Sequence, residues 1–147
     1  MTQKNRPIYL VDDDDDDRVL FQDALKEVNN DVDLVTLKDG EELMDVLEKN
    51  VPPEPHIIFL DLNMPRKNGF ECLYEIKRSN KLKDIPIIVF STATQQDAIM
   101  RAYQNGANYY ICKPNTFLLL KKVISHVFSL TWPKGVQTPF DKFLLEP

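Results

Sequence analysis

The chain has 147 residues, 43% of them apolar and 28% charged, an ordinary balance for one globular domain large enough to bury a core. No apolar run approaches the roughly 20 residues of a membrane span, and Met1–Pro7 lacks the apolar segment of a signal peptide, so a cytoplasmic protein with no membrane contact is expected. The net charge of −5 is local: outside Asp12–Asp17 there are 18 basic and 17 acidic residues, a balance that does not suggest nucleic-acid binding.

Ile8-Tyr9-Leu10-Val11 reads as a short apolar strand running straight into six aspartates. From Val19 the period changes to that of a helix, with Phe21, Leu25 and Val28 on one face, ending near Asn29. Asp14 to Asp17 suit its N-cap and the positive end of its dipole. Asp12 and Asp13 fall instead on the strand end. Val32 to Leu37 is a second strand, and Asp39-Gly40 turns into a helix carrying Leu43, Val46 and Leu47. Pro52, Pro53 and Pro55 keep the next loop out of helix.

Ile57-Ile58-Phe59-Leu60 then has the pattern of a strand buried on both faces. It ends on a carboxylate, Asp61, and Pro65 blocks further pairing. Asn68-Gly69 closes the loop into a helix marked by Phe70, Leu73 and Ile76, ending near Asn80. Pro86 opens a fourth strand, Ile87 to Ser91, with Thr92 directly after it. A helix from about Gln95 to Asn105 is stopped by Gly106. Asn108 to Cys112 is a fifth strand, followed by Lys113-Pro114 and a last long helix from about Thr116 to Leu130.

Strand then helix repeats five times, with connections too long for hairpins. That predicts an α/β, doubly wound, flavodoxin-like (βα)5 fold with a five-stranded parallel sheet of order 2-1-3-4-5. Its crevice lies between strands one and three, so Asp12, Asp13 and Asp61 should meet at the carboxyl edge. Crowded carboxylates call for a cation, and hard oxygens with room for water suit Mg²⁺. Thr92 and Lys113, at the ends of strands four and five, are placed to hold an anion attached to Asp61. Carboxylates serve as phosphoryl acceptors, and metal and ammonium charge stabilise that transfer. Cys72 and Cys112 belong to no CxxC pair, and His56 and His126 have no ligand spacing.

Val11-Asp12-Asp13, Asp61-Leu62-Asn63-Met64-Pro65 with Gly69, Ser91-Thr92-Ala93 and Lys113-Pro114 resemble, in order, the four motif blocks of response-regulator receiver domains. The resemblance spans roughly residues 6 to 130. It implies a phosphorelay protein that is not an enzyme beyond its own phosphotransfer and dephosphorylation. Asp61 would be phosphorylated by a histidine kinase or phosphotransferase. Mg²⁺ would be held by Asp13, Asp61 and the Asn63 carbonyl, with Asp12 acting through water. Asn63, Thr92, Ala93 and Lys113 would surround the phosphoryl oxygens, and the Lys113-Pro114 bond would be cis. Thr92 and Tyr110 would form the switch, altering a protein-binding face of the fourth helix, fifth strand and fifth helix, near Ile99, Met100 and Tyr103.

Arg101 to Asn108, Lys81 to Pro86 and Trp132 are similar to stand-alone receivers related to cyanobacterial phytochrome response regulators. This narrower resemblance implies a sensor kinase partner, a phytochrome-type kinase being one choice. Three alternatives compete. An unphosphorylated pseudo-receiver would lack Asp61-dependent labelling. A haloacid-dehalogenase-type phosphatase would need a second aspartate where Asn63 stands. A flavin domain would not place six aspartates in its phosphate loop.

Residues 1–130 are therefore expected to form the receiver and 131–147 an apolar extension with no output domain. Seventeen residues after Leu130 cannot hold a helix-turn-helix. Trp132, Phe140, Phe143, Leu144 and Leu145 are nonetheless too apolar for an idle tail, and Thr138-Pro139-Phe140-Asp141 has the form of a short helix start. The tail either packs on its own domain or contributes to a homodimer, the latter slightly preferred.

Overall fold

The computed structural model describes residues 6–49, 54–130 and 136–147. The expectations resting on Trp132, Pro52 and Pro53 lie outside the described residues. Five parallel strands, β1 (Ile8–Val11), β2 (Leu34–Leu37), β3 (Ile57–Leu60), β4 (Ile87–Ser91) and β5 (Tyr109–Cys112), form one sheet of order β2-β1-β3-β4-β5. Five helices alternate with them: α1 (Asp15–Val28), α2 (Gly40–Glu48), α3 (Gly69–Arg78), α4 (Gln96–Gln104) and α5 (Phe117–Phe128). The predicted order is the observed one. β2 begins two residues later than expected, and α5 stops at Phe128 with Ser129 as its cap.

The two-residue period of a strand explains the unbroken apolar runs. Ile57 and Phe59 face α1 and α5, among Phe21, Ala24, Val123 and Val127. Ile58 and Leu60 face the other layer, among Leu43, Leu73, Ile76 and Ala102 of α2, α3 and α4. Phe21, Phe59 and Phe90 meet edge to face, with ring centroids 4.9 to 6.1 Å apart.

The helices start where short polar side chains cap them. Asp14, Asp39 and Thr116 each accept the backbone N–H three residues on, and Asn68 with Glu71 forms a reciprocal capping box. Gly69 is required at the start of α3. A Cβ there would lie 2.2 Å from Asp61 O, so only glycine lets α3 begin directly against the exit of β3.

Lys77 of α3 turns its ammonium inward onto Lys83 O (3.1 Å), Ile85 O (2.9 Å) and Asn108 Oδ1 (3.1 Å). Burial lowers its pKa to about 8. Between that value and the unfolded one of 10.5 the unfolded chain holds the extra proton, so stability rises with pH there. Lys77→Met is expected to cost about 1–3 kcal/mol for the stranded acceptors. It should also erase the rise in stability across that alkaline window, as read by urea unfolding.

Candidate functional site

The register brings the acids together. Val11 pairs with Leu60, and Asp61 donates its N–H to Val11 O at 3.0 Å. Asp12 and Asp61 thus leave adjacent strands at the same level. Both are buried, at 0% and 6% exposure, whereas Asp13 and Asn63 are exposed. Asp12, Asp13 and Asp61 each offer a carboxylate oxygen within 4.8 Å of the others, so the three predicted acids do converge. An open cleft of about 450 Å³ adjoins them, lined by Asp13, Asn63, Met64, Asn68 and Arg101 among others.

Burial raises the Asp61 carboxyl to about 6, against the pull of Lys113 and with the charge of Asp12 adding to the rise. Burial also raises Asp12, although Lys113 and the Asp14 N–H counter it. The residues fit a hard divalent cation. Asp12 Oδ1 accepts the Asp14 N–H at 3.0 Å, but Oδ2 is buried and has no well-aligned hydrogen-bond donor. Its near neighbour is the Lys113 ammonium at 2.7 Å, an ion-pair contact.

Lys113 is held over the site by β5, with its N–H on Ser91 O at 2.8 Å. Its ammonium also reaches Asp17 Oδ2 at 2.8 Å and Asp61 Oδ2 at 3.4 Å. Burial alone would lower its pKa; the close contacts to Asp12 and Asp17 and the charges of Asp61 and Asp12 outweigh that and hold it raised.

Sequence reasoning missed two groups here. Asp17, expected only to serve the start of α1, is swung by one turn of the helix onto Lys113. Arg18 donates from Nη1 to Asp12 O at 2.6 Å and pairs with Asp15. Two hydroxyls stand at the end of β4. Thr92 lies past the last rung of the strand, Ser91 opposite Cys112, and is exposed. Ser91 is fully buried on the Ile87 and Val89 side of the strand, and its Oγ accepts the Ala93 N–H at 3.2 Å. Alternation thus turns Ser91 into the layer of α2, α3 and α4, whereas Thr92 continues the Ile88 and Phe90 face, which Asp61 shares with Ile57 and Phe59.

Tyr110 is fully buried. Its hydroxyl donates to Ala93 O at 2.8 Å, and burial pushes its pKa up to about 12. Tyr110 and Ser91 thus share the β4–α4 loop. Asn63 donates its N–H towards Asp61 Oδ1 at a long 3.5 Å. The α4–β5 face is not open: Tyr103 packs against Phe140 and Phe143 of the C-terminal segment at 5.0 Å each. That segment makes a three-residue 3-10 turn, Phe140–Lys142, in place of the expected helix. Pro139 is its cap; Phe143 still has helical φ and ψ of −69° and −41°, and the chain bridges β5 from Leu144.

A doubly wound sheet with crowded acids and a lysine at the carboxyl edge defines the receiver class of signalling proteins. The chain belongs to that family: residues 8–125 match the response regulator receiver domain. It is 34% identical to response regulator Rcp1 of Synechocystis sp. over 95% of this chain and 99% of the relative. Among solved structures it is similar to the phosphorylated cyanobacterial phytochrome response regulator RcpA, with a TM-score of 0.80, 34% identity and coverage of 88% and 99% of the two chains. The Mn²⁺-bound form of Rcp1 matches with a TM-score of 0.76, 35% identity and coverage of 91% and 99%. The chain is thus a receiver-domain response regulator of two-component signalling, and no described helix is long and apolar enough to cross a membrane.

Proposed function

We propose that this response regulator accepts a phosphoryl group on Asp61 from a histidine kinase or phosphotransferase, with Mg²⁺, and so switches a protein-binding surface. The carrying observation is the placement of Asp61. It is a nearly buried carboxylate with Lys113 3.4 Å away and two further aspartates within reach of a shared cation. Asp12, Asp13, Asp61 and the Asn63 carbonyl would hold the ion, which would neutralise charge on the transferring oxygens. The Mn²⁺-bound state of Rcp1 supports a divalent ion at such a site. Asp61 Oδ attacks the phosphorus, the donor's leaving group departs, and Lys113 holds the new phosphoryl oxygens. Asn63, Ala93 and the hydroxyl of Thr92, which follows the Ile88 and Phe90 face shared by Asp61, complete the cradle in this reading.

The kinase side is supported by exposed Val19 and Leu20 on α1 and Leu118 on α5, since both helices start at the carboxyl edge. The related phytochrome response regulators favour a photoreceptor kinase as partner. The test is incubation with acetyl phosphate and Mg²⁺, then mapping of an acid-stable, base-labile acyl phosphate. Label confined to the peptide holding Asp61 is the expected result; its absence, from kinase donors too, would leave a pseudo-receiver. Thr92→Ala should slow labelling about 10- to 100-fold, the loss of one oriented donor. Ser91→Ala should change it less than about threefold, because the serine hydroxyl faces the other layer and holds the Ala93 N–H. A larger loss in Ser91→Ala than in Thr92→Ala would move the role to Ser91.

A further inference from the structure

The C-terminal segment builds an extra rung on the sheet. Tyr110 donates its N–H to Phe143 O at 3.0 Å, and Leu145 donates to Tyr110 O at 2.9 Å, a parallel bridge on the outer edge of β5. Phe143 is fully buried against Tyr103 and Tyr110, while Leu145 enters the opposite layer beside α5. Gln137 Nε2 donates to Tyr103 O at 2.7 Å and Ala107 O at 3.0 Å, and the His126 ring nitrogen lies 3.0 Å from Glu146 O. Between these points the hold is thin. Val136, Phe140 and Leu144 are exposed at 63%, 38% and 40%.

This is the arrangement by which a sheet edge binds an extended peptide. Main-chain bonds supply affinity and alternate side chains supply specificity. A strap held by two aromatic rings on Tyr103, by Leu145 and by two rungs opens at a cost below that of global unfolding. We propose that the β5 edge and the Tyr103–Tyr110 socket form a docking site for an extended partner segment bearing an aromatic residue two positions before a leucine. Phe143-Leu144-Leu145 occupies it in cis as a displaceable resident ligand. A partner with the same pattern competes with a tethered copy of its own motif, so the strap sets the threshold for docking. Tyr110, both socket wall and donor to Ala93 O, joins that occupancy to the β4–α4 loop.

The test uses the full chain without metal or phosphoryl donor, so its outcome is independent of the reading of Asp61. Amide hydrogen exchange at Tyr110 and Leu145 reports the strap directly. Phe143→Ala should raise exchange at both amides at least about tenfold, with Phe59 and Val89 in the core unchanged. Leu145→Ala, acting from the other layer, should do the same and serves if the first variant disturbs the fold. A synthetic peptide of residues 136–147 should bind the Phe143→Ala chain and restore protection at Tyr110. It should bind the wild type at least about tenfold more weakly, and the peptide carrying the same Phe→Ala change should not bind. The proposal fails if the peptide leaves Tyr110 unprotected, or if both wild-type amides exchange freely. It also fails if their protection is lost on dilution together with a dimer, which would seat the strap in a second copy.

Discussion

Asp61→Asn is expected to abolish phosphoryl incorporation from acetyl phosphate and, at the same time, to make the metal-free protein more stable. An amide of the same shape keeps the packing but offers no carboxylate nucleophile. The stability gain follows from the raised carboxyl. Its pKa is about 6 in the fold against 3.8 for an ordinary aspartate. Between those values the folded chain holds a proton that the unfolded chain has released, so stability falls as pH rises through that window. The penalty is fully present at pH 7 and amounts to about 3 kcal/mol for a shift of about two pKa units. Asparagine cannot ionise, so urea unfolding at pH 7 should show a gain of about 1–3 kcal/mol that fades towards pH 4. The same proton competes with the cation. Mg²⁺ affinity of the wild type should drop by up to about tenfold per pH unit below the Asp61 pKa. Wild-type labelling in the variant would sink the assignment of the acceptor, and equal stability across pH would sink the account of its environment.

Lys113→Met should have the opposite effect on stability. The lysine is the cation shared by Asp12, Asp17 and Asp61, at 2.7, 2.8 and 3.4 Å. Methionine fills much of the same space and leaves two buried carboxylates facing each other. Breaking a buried charge cluster by removing one partner typically costs about 3–5 kcal/mol. The raised pKa of Lys113 means that its own contribution is complete at all pH values below its unfolded range and is lost only in strong alkali. Any change in the deficit between pH 7 and pH 5 must therefore come from the acids. Asp61 and Asp12, both raised, take up protons and shrink it. Mg²⁺ should recover part of the loss at pH 7 by replacing one cation with another. Phosphotransfer should fall about 100-fold even in the refolded, metal-bound variant, because no ammonium then faces the phosphoryl oxygens. Unchanged stability at pH 7 without metal would contradict the shared-cation geometry.

Much of this arrangement is legible in linear order because parallel sheets impose it. Short apolar runs at Ile8, Ile57 and Ile87 can be satisfied only by burial on both faces. Polar residues at their carboxyl ends then share one edge whatever the side chains do. Asp12, Asp13, Asp61 and Lys113 follow from that rule. Gly69 follows too: a helix that begins within a short loop of a buried strand leaves no room for a Cβ.

Position along the chain does not say which way a side chain turns after the last rung. Ser91 and Thr92 differ by one residue, and the register of β4 sends the serine into the layer of α2, α3 and α4 and leaves the threonine on the face of Phe90 and Asp61. Asp17 looked like its neighbours in a run of six identical acids. Its selection depends on how α1 packs beside α5, which brings it to Lys113, 96 residues along the chain. The extension shows the same division. Its composition required a partner for Phe143 and Leu145, since such residues lose free energy in water. The choice of partner, the edge of β5 and the flank of Tyr110, required the packed sheet, because a socket made by Tyr103 and Tyr110 exists only once α4 and β5 have come together. Strand ends and apolar periods are local properties and can be read in order; which layer a hydroxyl faces, which aspartate meets Lys113 and which surface the extension covers depend on long-range packing, and the fold alone decides them.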